Sequence, residues 1–526
     1  MKKISKYLFT LLFAFIIYYF ILPPINLSSP LFYVYLFLVL SFYVFYSSMS
    51  KISINIIGKN FKKTFIEETT IVTASFIIIC LIIMINFVLS PLFQSNEYYN
   101  RITINEDGNF KEDINEVDTS KLPLLDKDSS SKLGDRVMGQ MTDLVSQFSV
   151  SNLYTQINYK NDIIRVTPLE YNGFIKYLAN RKNGVPAYIT VNSVNGNTDL
   201  VKLENGMKYV PSAYFFEDLD RKLRFSYPFD IFGEKSFEID NDGNPYWIVP
   251  VMKYSGVGLR RDVKEVIILN AITGEHTKYN VNEVPSWVDH VYSASLIIEQ
   301  VNDWGLYKNG FFNSVFAQKN VVMTTDGYNY TVMNDDVYLY TGITSVANDE
   351  SNIGFILANL RTKETVFYQV SGAEEYSAMS SALGQVQQMD YEASFPLLIN
   401  VNNKPTYLIS LKDNAGLVKM YALVDVVDYQ KVVVTDSSLG IDKAISNYIG
   451  DNYSIDSVKS STITVTDVKS AIIDGNTYYY LIDTEGNRYK VKITVDPNGL
   501  PFVGIDSVLN IKYKNNGINE IVKING

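Results

Sequence analysis

Cysteine, histidine and tryptophan are scarce here: 526 residues hold one Cys, two His and three Trp. A single Cys excludes a disulfide framework, and one Cys with two His leaves no soft-ligand metal cluster. Walker and dinucleotide-binding loops are missing, since Gly256-Val257-Gly258 lacks the third glycine and opens no helix. The stretch from Glu238 to Gly243 begins like a calcium loop, but Val249 stands where a bidentate Glu is needed. His276 and His290 come without a Gly-x-Ser-x-Gly or Cys-His arrangement to activate a nucleophile. An excess of positive charge is also lacking. The chain has 46 basic and 56 acidic residues, net charge -10, which argues against nucleic acid as a partner. Neither a cofactor, a metal nor an enzyme activity is expected.

What is plentiful is uncharged apolar sequence near the N-terminus. Residues 7–22, 31–46 and 71–93 carry no charge. A helical span needs about 20 apolar residues. The third run meets that alone, and the first two do so with neutral flanks. Three transmembrane helices are therefore expected at about 5–24, 30–48 and 71–93, within a membrane region 1–95. Pro23-Pro24 and Pro30 bracket a short turn, making the first two a hairpin. A cleaved signal peptide fits poorly, because no small-x-small site follows Leu22 and a second span follows at once. Lys2, Lys3 and Lys6 precede the first span, and Lys51, Lys59, Lys62 and Lys63 lie between the second and third. Positive-inside orientation puts both groups, and the N-terminus, in the cytoplasm of a multi-pass cell-membrane protein. Residues after about 95 are then extracytoplasmic. The first 95 residues carry seven Lys and two Glu, a balance of +5, which leaves -15 for the remainder. Cys80 falls in the third span, so the outer region has no thiol, a usage that favours a Gram-positive envelope.

Residues 96–131 are rich in Asp, Glu, Asn, Ser and Lys and read as a stalk or linker. Leu133, Val137, Met141, Leu144, Val145 and Phe148 recur at helical spacing. Thr167-Pro168-Leu169-Glu170 has the form of a capping box opening a helix that buries Ile175, Leu178 and Ala179. A recurring element follows: an aromatic-bearing alternating strand begins after a Gly or Asn turn and is answered by a second strand. Examples start at 183, 243, 403 and 475, and each reads as a β-hairpin. Helices are expected between them at 211–224, 286–304 and 374–389. The fold class is α+β, with an α+β region at 132–345, a second α+β module at 346–436, and a helix plus small β-barrel of OB or SH3 type at 437–526. The barrel follows from five short strands, at 462–468, 478–482, 489–493, 508–513 and 518–524, divided by tight turns.

The run GNPYWIVPVMKYSGVG, then VKEVIILNAITGEH, then VPSWVD (243–258, 263–276 and 284–289) resembles a PepSY-type module. The resemblance implies a helix packed on a small antiparallel sheet whose closing strand ends in a Thr-Gly-Glu turn, here Thr273-Gly274-Glu275. It also implies extracytoplasmic binding or inhibition without a conserved catalytic constellation. Residues 376–434 resemble the family more loosely, lacking that turn. The outer region as a whole is similar to large membrane proteins of Gram-positive bacteria, which implies no particular activity.

Among candidate site residues, Tyr328, Tyr330, Tyr338 and Tyr340 alternate along two strands flanking a turn at Asn334-Asp335-Asp336. Such tyrosines seal a sheet face or form a sugar-stacking platform. Asp335 and Asp336 are adjacent carboxylates that a hairpin turn would point apart. Arg260-Arg261 would meet a lipid phosphate or an acidic polymer, if not simply water. The expected function is binding, scaffolding or regulation at the bacterial cell envelope, with the lipid bilayer and other envelope or membrane proteins as partners. The alternatives are a subunit of a membrane complex, or an envelope hydrolase or protease regulator whose site forms only on folding. Clustering of Asp289, His290, Asp335 or Asp336 in a deep cleft would favour the latter.

Overall fold

The computed structural model describes residues 2–55, 62–346, 348–452, 458–473, 476–516 and 518–525. Lys59, the expected Asp474-Gly475 turn and Gly517 lie outside them. The chain divides into two units, Met1–Ser438 and Leu439–Gly526, and its architecture is mixed α+β.

Four helices open the first unit: α1 (Lys2–Ile21), α2 (Pro30–Asn55), α3 (Lys62–Val88) and α4 (Pro91–Tyr99). α1 and α2 pack as a hairpin, with Phe13 stacked on Phe42 at 3.9 Å between centroids. Their other flanks, and that of α3, expose Leu8, Leu11, Phe20, Phe37, Phe76 and Ile83. Among the described residues, one helix is long and apolar enough to cross a membrane, at Pro30–Ser47. The expected first span is a shorter apolar helix, Lys6–Ile21. It stops where Leu22 turns left-handed (φ 53°) ahead of Pro23-Pro24. The expected third span is broken, because Ser90 caps a new helix with Pro91 in its first turn, and the two parts bend by 54°. By length and composition, the described residues thus hold one span candidate, or two if the bent pair is one.

The ends of these helices are fastened to the folded part of the same unit. Ile25 N–H donates to Pro228 O at 2.7 Å, and Asn26 Nδ2 to Phe229 O at 3.0 Å. Arg224 Nε donates to Leu22 O at 2.9 Å, and the Arg221 guanidinium lies 4.1 Å over the Tyr19 ring. On α3, Asn86 both donates to Val257 O and accepts from Val257 N–H, each at 2.9 Å. Gly258 N–H donates to Ser28 O at 3.0 Å. Gly256-Val257-Gly258 is therefore a clamp on two helix ends. Both glycines have positive φ (77° and 75°), and a Cβ on Gly258 would meet Pro30 at 2.9 Å.

Among the described residues, the rest of this unit is four antiparallel-rich sheets whose faces alternate with three cores. The first sheet contains strands Thr155–Tyr159, Asp162–Tyr171, Val185–Asn192 and Thr198–Met207. It packs on the second, built around Pro245–Lys253 and Asp262–Asn270, through Trp247, Val249, Ile267 and Leu269. The opposite face of that second sheet (Ile248, Val266, Ile268) joins helix Ala294–Tyr307 and the third sheet through Val337, Leu339 and Ile356. The third sheet's other face (Tyr340, Phe355, Leu357) meets the fourth through Tyr407, Ile409 and Val424. Central strands buried on both sides account for the near-continuous apolar runs IVPV and VIILN. After Asp262–Asn270, the Thr273-Gly274-Glu275 turn leads into a further strand, His276–Asn280, so the closing strand ends before the turn.

Three local expectations are overturned. Residues 96–131 are not a free stalk. Ile104–Gly108 adds a parallel strand beside Thr365–Tyr368. Phe110, Leu122 and Leu124 are buried, and Asn400 Nδ2 donates to Ile114 O at 2.7 Å. Leu125 N–H donates to Ser193 O at 3.0 Å, so the segment is a strap crossing the third, fourth and first sheets. Thr167–Glu170 caps no helix, since it belongs to strand Asp162–Tyr171, where the Thr167 hydroxyl donates to Ser151 O at 2.9 Å. The helix that follows starts later, at Phe174, with Gly173 as its N-cap. The helix expected from Ser286 begins at Ala294, capped by Ser293, because Glu238 takes the Asp289 and His290 N–H groups.

The second unit contains helix Ile441–Asn452 and a closed five-stranded barrel: Val458–Ile473, Asn476–Asp483, Arg488–Lys492, Val508–Asn516 and Ile518–Asn525. Around the barrel, the order is first, second, third, fifth, fourth, and the third–fifth pair is parallel. Ile463, Val465, Leu481, Tyr489, Val491 and Ile511 fill it.

Candidate functional site

Hairpin register decides the fate of the tyrosines. Asn334 and Asp335 both have positive φ (49° and 66°), as a two-residue type I′ turn requires. That turn pairs Tyr330 with Leu339 and Thr331 with Tyr338. Side chains alternate along each strand, so Tyr330 shares a face with Leu339, while Tyr338 and Tyr340 point to the other face. The four rings form no common platform. Tyr330 meets Tyr328 edge-on at 5.5 Å and His290 at 5.7 Å. Tyr340 is buried, and its hydroxyl donates to Glu375 Oε1 at 2.8 Å. Burial, and then the neighbouring Glu375, hold the Tyr340 hydroxyl well above its ordinary pKa.

Asp335 and Asp336 part company as well. Asp336 is buried and accepts from Asn359 Nδ2 at 2.7 Å and Arg361 Nε at 2.9 Å. Asp335 stays in the turn, where its carbonyl accepts from Asn158 Nδ2 at 3.1 Å. Arg260 pairs with Glu97 at 3.2 Å beneath the Tyr98 ring, and Arg261 pairs with Glu299 at 2.6 Å. Both arginines therefore brace the joint between α4 and helix Ala294–Tyr307.

Glu238, which the sequence marked only as the first residue of a failed calcium loop, is the centre of a buried acidic junction. Its carboxylate accepts from Asp289 N–H at 2.8 Å, His290 N–H at 3.1 Å and Ser236 Oγ at 2.8 Å. Asp289 accepts from Asn158 N–H at 2.8 Å. His290 Nε2 donates to Gln156 O at 2.7 Å, which fixes its tautomer. Asp289, His290, Asp335 and Asp336 thus share one neighbourhood, bridged by Asn158. Glu238, Asp289 and Asp336 are buried within packed layers. His276, by contrast, sits apart, donating from Nδ1 to Gly274 O at 3.0 Å.

Burial, and then the charge of Glu238, hold the Asp289 carboxyl well above the usual range. An acid raised by folding stabilises the fold below its unfolded value, about 4, and that contribution is lost as pH rises through the folded value. Asp289→Asn keeps an acceptor for Asn158 and removes the charge. It is expected to raise stability at pH 8 by on the order of 1–3 kcal/mol and to change little at pH 4. Urea unfolding at the two pH values checks this, and an equal loss at both would contradict it.

Two open spaces stand out by size. A cavity of about 760 Å³ lies under the strap, lined by Phe110, Asp118, Asn158, Asp335, Tyr338 and Tyr340. A polar groove of about 890 Å³ runs across the first and second sheets, with Tyr159, Tyr188, Asn192, Asp199, Asp242 and Asn270 along it. Three of the expected site residues, Asp335, Tyr338 and Tyr340, come together at the cavity under the strap. Among the described residues, no three His, Cys, Asp or Glu side chains gather to hold a metal ion.

No protein-family model matches this chain, and no curated protein matches it.

Proposed function

We propose that the chain is a three-span protein of a Gram-positive cell membrane, with a cytoplasmic N-terminus and its folded mass outside. There it binds or scaffolds other envelope or membrane components and performs no catalysis. The observation that carries this reading is the seating of the helix ends. The α1–α2 turn and the end of α3 fasten to neighbouring parts of one folded unit, through Pro228, Phe229, Val257 and Gly258. That puts Lys2, Lys3, Lys6, Lys51, Lys62 and Lys63 toward the opposite ends of the helices, as positive-inside orientation asks. Exposed Phe216, Phe225 and Phe229 extend the apolar flank of α1, where Tyr19 meets Phe216 at 6.0 Å. Aromatic residues at that level suit a membrane–water interface.

The hairpin-and-helix modules are proposed as PepSY-type. The barrel is proposed as OB-type, because its one parallel pair and its strand order favour that topology over an SH3-type barrel. Binding is favoured over hydrolysis by the commitments of the candidate groups. The Asp336 carboxylate is saturated by Asn359 and Arg361, and His290 faces Tyr330 and the Gln156 carbonyl. The purified full chain is expected to show no steady turnover of peptidoglycan, peptide or ester substrates. Sustained turnover of any of them contradicts the proposal.

A further inference from the structure

Arg165 interrupts the run Ile163-Ile164-Arg165-Val166 on strand Asp162–Tyr171. Its cross-strand partner on Thr155–Tyr159 is Gln156. Ile164 and Val166 enter the first core, so alternation sends Arg165 and Gln156 to the opposite face. That face meets the strap and the segment leading into strand Asn329–Met333. Both side chains are almost fully enclosed, 4% and 1% exposed.

Three of their polar atoms are buried and unmatched. Arg165 Nε and both amide atoms of Gln156 have no hydrogen-bond partner among the described residues. Tyr330, Asp126, Asp128 and Tyr328 lie within electrostatic range of Arg165, and among the described residues no hydrogen bond or ion pair joins any of them to it. Asp126 is already occupied, held by Lys412 Nζ at 2.6 Å and Ser129 N–H at 2.9 Å. A guanidinium cannot shed its proton near neutral pH, and a buried cation without an anion is a costly arrangement. Other enclosed arginines have a partner for the guanidinium: Arg224 donates to carbonyls, and Arg101 and Arg260 pair with carboxylates, although their Nε atoms also lack a partner.

We propose that Arg165 and Gln156 form a binding site for the anionic group of a small soluble ligand, a carboxylate or a phosphate. The planar fork of Arg165 takes two oxygens of such a group side by side, and Gln156 Nε2 supplies a further donor. Tyr328, 42% exposed and edge-on to Tyr330, marks the outer side of the site. The site lies within Met1–Ser438 and stands independently of how the chain meets a membrane.

The test is thermal unfolding of the full chain in dodecyl maltoside, with sodium phosphate in one arm and sodium succinate in the other. Ionic strength is matched throughout with sodium chloride. With the anion well above its dissociation constant, Tm is expected to rise by about 2–4 °C in at least one arm. The arm that responds tells phosphate from carboxylate. Arg165→Met should abolish the rise while unfolding, without added anion, at a temperature no lower than the parent's. Should that variant fail to fold, Gln156→Met serves instead, with a rise of half or less. No rise in either arm, or an undiminished rise in the variant tested, overturns the proposal.

Discussion

Arg224→Met is expected to cost the unit Met1–Ser438 about 3–5 kcal/mol and to loosen the α1–α2 hairpin from the folded part. Arg224 is buried on helix Leu219–Ser226, and its guanidinium serves three carbonyls at once. Nε donates to Leu22 O at 2.9 Å, and Nη1 donates to Tyr227 O at 3.2 Å and Asp230 O at 2.6 Å. Leu22 closes α1, so the cation also faces the negative end of that helix. The Phe232 ring lies 4.4 Å from the guanidinium carbon and completes the enclosure. Burial pulls the arginine pKa down to about 10, which leaves it charged at neutral pH. Methionine fills much of the volume but strands all three carbonyls, and each stranded group costs about 1–3 kcal/mol at most. Urea unfolding in mild detergent measures the loss. Limited proteolysis should show new cleavage between Leu22 and Pro30. A loss below about 1 kcal/mol, with no new cleavage, would mean the hairpin is held by its apolar contacts alone.

Arg101→Met should be comparably severe at pH 8, about 3–5 kcal/mol, and visibly milder at pH 5. Arg101 follows α4 and ties the start of the strap to helix Ala294–Tyr307. It bonds Glu299 at 2.7 Å and the Arg261 carbonyl at 2.7 Å, and it pairs with Asp303. Burial raises the Asp303 carboxyl to about 6 even though Arg101 pulls it down, so desolvation outweighs the pairing. The sign follows from that order. A raised acid contributes stability in full below its unfolded value near 4, and the contribution is lost as pH rises through about 6. Without Arg101, the folded value rises further, so the penalty grows from pH 5 to pH 8. Arg101→Met combined with Asp303→Asn should recover most of the pH 8 loss, because no buried charge is then left alone. Equal penalties at the two pH values would rule out Asp303 as the cause.

The hairpins and the barrel were legible because their signals are local. Alternation in NKPTYLISL, with Lys404 paired back to Val401 across Asn402 and Asn403, is a strand after a tight turn in both sequence and structure. What failed were features set by distant partners. The strap looks like a linker because Phe110, Leu122 and Leu124 are scattered among acidic residues, and their burial depends on sheets formed later in the chain. The false helix starts at Thr167 and Ser286 share a cause. A Ser151 carbonyl in one case, and the Glu238 carboxylate in the other, claimed groups that local rules assign to a cap.

Site legibility followed the same division. Tyr338, Tyr340 and Asp335 do reach one cavity, but Tyr330 was misplaced by a parity that only the two-residue turn decides. Glu238 carried no warning of its burial, since it alternates with Phe237 and Ile239 like any outward residue of an edge strand. Its burial comes with a segment some 50 residues away, whose Asp289 and His290 N–H groups donate to it. Arg165 did carry one: a single charge inside four β-branched or buried neighbours marks a place where the interior needs a cation.

Cysteine labelling of intact, wall-stripped cells tests the central claim most directly. In a Cys80→Ser background, Lys469→Cys places a thiol where the native side chain is 76% exposed, and Lys59→Cys places one between the second and third apolar helices. A membrane-impermeant maleimide is predicted to label Lys469→Cys without permeabilisation and Lys59→Cys only after it. Labelling in the reverse order, or of both positions only after permeabilisation, would contradict an outward-facing fold held against the membrane by the ends of its helices.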